Sequence, residues 1–146
     1  MTEQKIYISN RGNLGGKDTE EENKPDYLEK ALDYGVCVKT DIWLIKDRPV
    51  TGTEYPSIGI NLDLFDKEKL IVQARNPSAL LHLLKNGYHC FWRETDNLIM
   101  TNRNFILSYA GSIFPKSIMM LPEENTILTN DDYMGICSDF ISGYVE

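Results

Sequence analysis

Residues 5–46 read KIYISNRGNLGGKDTEEENKPDYLEKALDYGVCVKTDIWLIK, and this stretch decides the fold class. Its start, KIYIS (5–9), carries the β-branched and aromatic residues of a strand. Residues 10–24, rich in Gly, Asn and acid, read as a long loop. Pro25 suits the first turn of a helix, where its missing N–H costs nothing, and Gly35 suits the left-handed residue that ends one. Between them Tyr27, Leu28, Ala31 and Leu32 recur at helical spacing. VCVKTDIWLIK (36–46) reads as a second strand. Strand, helix and strand at this spacing predict a parallel βαβ unit.

Downstream, DRP gives a turn and PVTG pairs back as a short hairpin strand. LDLFDK (62–67) reads as one helical turn, and KLIVQAR (69–75) as a third strand. Asn76 and Pro77 open a second helix that ends at Gly87, and YHCFW (88–92) follows as a fourth strand. NLIMT (97–101), NFILSY (104–109), KSIMML (116–121) and GICSDFI (135–141) are then strands with hardly any helix between them. This makes about eight barrel-like strands and the small hairpin strand. A full (β/α)8 barrel takes roughly 200–250 residues. A chain of 146 residues closes one only by dropping several helices. The pattern alone fits both such a stripped-down barrel and an open α/β sheet.

Size and composition bound the function. At 16.8 kDa, with 42% hydrophobic and 25% charged residues, the chain reads as one globular domain, residues 1–146. No apolar run is long enough for a membrane span, and MTEQKIYISN lacks the pattern of a signal peptide, so a cytoplasmic location is expected. A net charge of −7 and a pI near 4.8 argue against a nucleic-acid backbone or an anionic membrane as the main partner. Cys37, Cys90 and Cys137 are odd in number, widely spaced and set in apolar runs, which predicts buried free thiols.

The motifs IYISNRGN, EEENKP and VKTDIW, in this order, resemble the short glycerophosphodiester phosphodiesterase-like proteins, relatives of the phosphatidylinositol-specific phospholipase C barrels. That family opens with a strand ending in His-Arg-Gly-Asn. A Glu-Asn-x-Pro loop, a helix, a strand reading roughly Val-Glu-x-Asp-x-Trp and a Gly-His-Asp-x-Pro turn follow. The likeness extends through IVQARNPSALLHLL, HCFWRETDNLIMTNRNFILSYAG, SIMMLPE and ICSDFI. It implies a compact, helix-poor TIM-type (β/α) barrel with its site at the C-terminal ends of the strands.

The departures from the family pattern fall on its chemistry. Asn10 and Thr53 stand where the family has its acid–base histidines, and Lys39 where it has a metal-binding glutamate. Asp41 and Glu22 remain, and Glu54 replaces an aspartate; these three would hold Mg²⁺ or Ca²⁺ if a metal is retained. The resemblance gathers Arg11, Asn13, Lys39, Gln73, Arg75 and Arg93 around one cleft as binding residues for an anionic, phosphorylated small molecule.

Read from spacing alone, Lys39 and Asp41, and likewise Gln73 and Arg75, share a strand face. Lys39 and Asp41 then serve either as a structural ion pair or as a ligand site. The three arginines either line a pocket, where guanidinium forks suit phosphate oxygens, or pair separately with surface carboxylates. His82 and His89 match no catalytic position. In the acidic run 18–23 only Glu22 and Asn23 have a reason to turn inward. The leading reading is a catalytically degenerate phosphodiesterase-like protein, with no cofactor, that binds a phosphorylated small molecule or a partner protein. An active metal-dependent phosphodiester hydrolase and a non-catalytic interaction module are the alternatives.

Overall fold

The computed structural model describes residues 4–109, 114–125 and 132–145. Its frame is one curled mixed sheet. The strands are β1 (Ile6–Asn10), β2 (Cys37–Ile45), β3 (Arg48–Thr51), β4 (Ile58–Gly59), β5 (Leu70–Ala74), β6 (Cys90–Phe91), β7 (Leu98–Met100), β8 (Ile106–Ser108), β9 (Ile118–Met120) and β10 (Gly135–Ser138). The helices are α1 (Pro25–Tyr34), α2 (Pro77–Lys85) and the single turn α3 (Pro122–Asn125). None of the described helices is long and apolar enough to cross a membrane.

The helix ends follow the sequence logic. Pro25 and Pro77 sit in the first turns, and the Asn76 side chain accepts from the Ala79 N–H. Gly35 closes α1 in the left-handed conformation, with φ of 111°.

The central strands run parallel in the spatial order β6, β5, β2, β1, β10, β9, β8. β2 is long enough to serve two partners on its length. Val38–Ile42 pair with β5, and Ile42–Ile45 turn back into the antiparallel β3.

The expected TIM-type barrel does not form. α1 and α2 supply two helical crossovers, but β2 is followed by the β3–β4 hairpin. Only residues 92–97 separate β6 from β7, too few for a helical crossover. The chain instead turns back after β7, which pairs antiparallel with β8. The sheet therefore stays open between β6 and β7 as a half-barrel. The turn after β7 leans across the gap without extending the ladder. Asn102 donates to the Tyr88 carbonyl at 2.8 Å and accepts from the Cys90 N–H at 2.9 Å. Of the two architectures that the strand pattern fitted, the open sheet is the one adopted.

Strand register fixes two faces. Val38, Ile42, Val72, Ala74 and Ile136 pack outward against Leu28 and Ala31 of α1 and Ala79 and Leu83 of α2. Ile8, Ile71, Phe91, Leu107, Ile118, Met120 and Cys137 fill the inner face. Because the strands run parallel, their C-terminal ends meet at one rim. The alternation that puts Ile8, Cys37 and Ile71 inside puts Asn10, Lys39, Asp41 and Gln73 there too, two or four residues further along. Cys90 and Cys137 are buried and Cys37 half-buried, all as free thiols.

Gly135 sits where β10 meets β1, and a Cβ there would press into the Ile6 carbonyl oxygen. Gly135→Ala is expected to cost about 1–3 kcal/mol. Gly59→Ala, whose Cβ would meet nothing within 4 Å, should stay within about 0.5 kcal/mol of the parent. Urea unfolding followed by circular dichroism measures both; equal losses would mean that the β1–β10 contact is not tight.

Candidate cleft at the carboxyl rim of the sheet

The rim begins with a turn. After β1, Arg11 adopts a left-handed backbone (φ 61°), and Gly12 follows with φ of 93°. A Cβ on Gly12 would lie 2.6 Å from Tyr27 Cδ2, so α1 can pack against the turn only if this residue has no side chain. The turn is pinned from both sides: the Arg11 N–H donates to the Lys39 carbonyl at 2.7 Å, and the Asn23 N–H to the Arg11 carbonyl at 2.9 Å. Asn23 is itself left-handed, with φ of 70°. Non-glycine residues in this region cost on the order of 1 kcal/mol each. Here they return the Arg11 and Asn23 side chains to the end of β2.

Asp41 is the meeting point. It has no exposed surface. Its Oδ1 accepts from Lys39 Nζ at 2.9 Å, and its Oδ2 from Arg11 Nε at 2.7 Å and Asn23 Nδ2 at 2.9 Å. Arg75 Nη1 stands 3.8 Å away. Burial alone would raise the Asp41 pKa; Lys39, Arg11 and the Asn23 hydrogen bond reverse that and hold it at about 2. Burial pulls Lys39 down to about 8, although Asp41 opposes the shift. The ion pair that strand spacing allowed is formed.

A polar chain runs outward from this pair. Asn23 Nδ2 donates to Thr53 Oγ1 at 3.0 Å, and Thr53 donates to Glu22 Oε1 at 3.3 Å. Asn13 Nδ2 donates to Glu22 Oε2 at 3.1 Å and to Asp139 Oδ1 at 2.9 Å; Asp139 also accepts from Asn10 at 2.9 Å. Asn10 and Thr53 are thus opposite ends of one hydrogen-bonded network, and neither side chain titrates. Above it opens a cleft of about 840 Å³, lined among others by Arg11, Lys17, Lys24, Thr53, Glu54 and Arg75.

The structure brings Asn10, Arg11, Asn13, Glu22, Lys39, Asp41 and Thr53 into one network, with Arg75 bonded to the Thr53 carbonyl beside it. Gln73 lies next to Asp41 in register and is buried. Glu54 is exposed on the cleft wall, away from the other carboxylates' bonds. Arg93 is not in the network: it donates to the Asp96 carbonyl at 2.9 Å and lies over the Tyr109 ring, 3.8 Å from its centroid. Among the described residues, no group of three His, Cys, Asp or Glu side chains is arranged to hold a metal ion. His82 is on α2, beside a separate outer groove. His89 is buried with Nε2 2.7 Å from Thr101 Oγ1, and burial lowers its pKa to about 4.

Three participants escaped the sequence reading. Asp139 anchors both Asn10 and Asn13, Tyr27 donates to Asn13 Oδ1 at 2.9 Å, and Thr40 donates to Asn23 Oδ1 at 2.8 Å. The acid directly after an apolar strand was the available signal for Asp139. No family model, no curated protein and no solved structure matches this chain.

Removing the carboxylate strands the buried Lys39 and the half-buried Arg11. Asp41→Asn is therefore expected to cost about 3–5 kcal/mol at pH 7. Lys39→Met, which leaves Asp41 with Arg11 and Asn23, should cost clearly less. Urea unfolding of both variants decides it, and the opposite order would mean that Asp41 is not the hub.

Acid unfolding should show two windows. The unfolded His89 takes up a proton at 6.5 and the folded one only near 4. Stability therefore falls as the pH drops from 6.5 to 4. The Asp41 contribution is intact above 3.8 and lost as the pH falls to about 2. His89→Gln should flatten the upper window and leave the lower one in place.

Proposed function

We propose that this chain is a catalytically degenerate relative of the glycerophosphodiester phosphodiesterase-like proteins that binds a phosphorylated small molecule in the rim cleft and leaves it intact. The order of the motifs motivates the family reading. One observation carries the function: three cations, Lys39, Arg11 and Arg75, face the two carboxylates Asp41 and Glu22 at the cleft floor. With Asp139 of the same network the cluster is balanced, and on the cleft lining Arg11, Lys17, Lys24 and Arg75 outnumber Glu20, Glu22 and Glu54 by one in a protein of net charge −7. Fixed guanidinium groups beside a partly buried cleft favour an anion with several oxygens.

Hydrolysis needs a group that moves a proton, and an amide at position 10 and a hydroxyl at position 53 are poor candidates at neutral pH. Metal-assisted attack needs free carboxylate oxygens, whereas both oxygens of Asp41 are engaged by nitrogen donors. In this reading the Lys39 ammonium stands in for a cation's charge and supplies none of its Lewis acidity. The free thiols suit a reducing setting, in keeping with a cytoplasmic location.

Isothermal titration with inorganic phosphate and with ribose 5-phosphate tests the reading. Both should bind, more weakly as salt rises. Arg75→Ala should weaken both at least about tenfold, because it removes a charge-assisted contact. Failure of either anion to bind would sink the binding reading. Turnover of bis(4-nitrophenyl) phosphate with Mg²⁺ or Ca²⁺, abolished by Asp41→Ala, would sink the non-catalytic one.

A further inference from the structure

The loop from β3 to β4, residues 52–57, forms one wall of the rim cleft, and its backbone is tied down. Trp43 Nε1 donates to the Gly52 carbonyl at 2.8 Å, the Ser57 N–H donates to the Thr51 carbonyl at 2.8 Å, and Arg75 donates to the Thr53 carbonyl. A Cβ on Gly52 would lie 1.9 Å from the Tyr55 carbonyl oxygen, so the loop folds back on itself only with glycine there. The Tyr55 side chain stands outside this packing and is 70% exposed. Large apolar side chains scattered singly on a surface are ordinary. Among the exposed ones of the described residues, however, Tyr55 is the one that lines the rim cleft.

The lining is unevenly divided. Arg11 and Arg75 belong to the ion cluster, and the facing segment contributes polar side chains such as Lys17, Thr19 and Lys24. Tyr55 and Ile58 are the only large apolar side chains among the described lining residues, and both come from the stretch that follows β3. At about 840 Å³ the cleft has room for a whole small molecule rather than one phosphate group. A ligand held by its phosphate at the arginines has its other end to place. The wall offers that end a flat ring on a fixed backbone. Only the two side-chain torsions of the ring are left to order, so stacking on it costs little entropy.

We propose that Tyr55 is the stacking wall of the rim cleft, so that the ligand class is a nucleoside phosphate, with its phosphate on Arg11 and Arg75 and its base on the Tyr55 ring. This rests on the anion-binding reading above and deepens it by naming the other end of the ligand. Thr53 connects the two ends. Its carbonyl holds Arg75, its side chain bonds Asn23 and Glu22, and it stands two residues before Tyr55. The ring and the arginine are therefore mounted on one loop. Every base has a π face, so a tyrosine ring selects for a planar ring system without selecting among bases.

Isothermal titration of the parent, Tyr55→Phe and Tyr55→Ala with adenosine 5′-phosphate, ribose 5-phosphate, hexyl phosphate and inorganic phosphate tests it. The parent should bind adenosine 5′-phosphate about tenfold more tightly than ribose 5-phosphate, the gain expected of one stacked base. Tyr55→Ala should erase that gain and leave ribose 5-phosphate and inorganic phosphate unchanged, while Tyr55→Phe, which keeps the ring, should retain it. A parent that binds adenosine 5′-phosphate no better than ribose 5-phosphate overturns the stacking wall. So does a gain that survives Tyr55→Ala, or an equal loss for all four probes, which would mean that Tyr55 only shapes the loop. If hexyl phosphate loses as much as adenosine 5′-phosphate in Tyr55→Ala, the wall takes any apolar group and the nucleoside assignment falls. If the parent binds none of the probes, the anion reading itself fails. If inorganic phosphate binds through Arg75 and the base adds nothing, only the stacking wall fails.

Discussion

A carboxylate with no exposed surface needs compensation, and the half-barrel is arranged around giving it to Asp41. Lys39, two residues earlier on β2, supplies one cation from the same strand face. Arg11 supplies a second from the turn after β1, and Asn23 adds an amide from the loop before α1. These partners come from three separate segments, and each is held by backbone hydrogen bonds to another. The left-handed residues Arg11 and Asn23 are the local cost of that convergence. If the carboxylate were removed, the cations would remain buried and the turn would lose its reason to fold back.

Parallel strands make this convergence available. Their carboxyl ends collect at one rim, and side chains there point into the curl with the period of two that sets the apolar layer beneath. The apolar layer of Ile8, Ile71, Phe91 and Leu107 supports the polar layer above it and keeps water from the floor. Low polarizability beneath the ion cluster strengthens its attractions and makes any unpaired group there costly. The same setting holds Lys39 against Asp41 and makes each further partner of the pair, Arg11 and Asn23 among them, count for more than it would at an exposed surface.

Much of this was legible in the residues. Pro25 and Gly35 bound α1, Asn76 and Pro77 start α2, and the period of two on β2 puts Lys39 beside Asp41. The inward turn of Glu22 and Asn23 out of an otherwise exposed acidic run also followed from their place in the motif. Sheet closure was not legible. It depends on whether residues 92–97 cross over or turn back, and a stretch of six polar and aromatic residues has no periodicity that decides this. The barrel expectation came from resemblance, and the hairpin β7–β8 overrules it. Asp139 was missed for a related reason: its partners Asn10 and Asn13 are 129 and 126 positions away, and only the β1–β10 pairing brings them together.

Leaving the barrel open has a consequence for the site. In a closed barrel, strands on every side would fix the rim. Here, in place of a full ladder, the Asn102 bonds to Tyr88 and Cys90, the His89–Thr101 contact and the Arg93 guanidinium over the Tyr109 ring join the two edges. A cation–ring contact is worth about 0.5–2 kcal/mol, less than several ladder bonds together. The arginine cluster around Asp41 is anchored by the central strands β1, β2 and β5, so the charge sits on the part of the rim that the ladder itself holds.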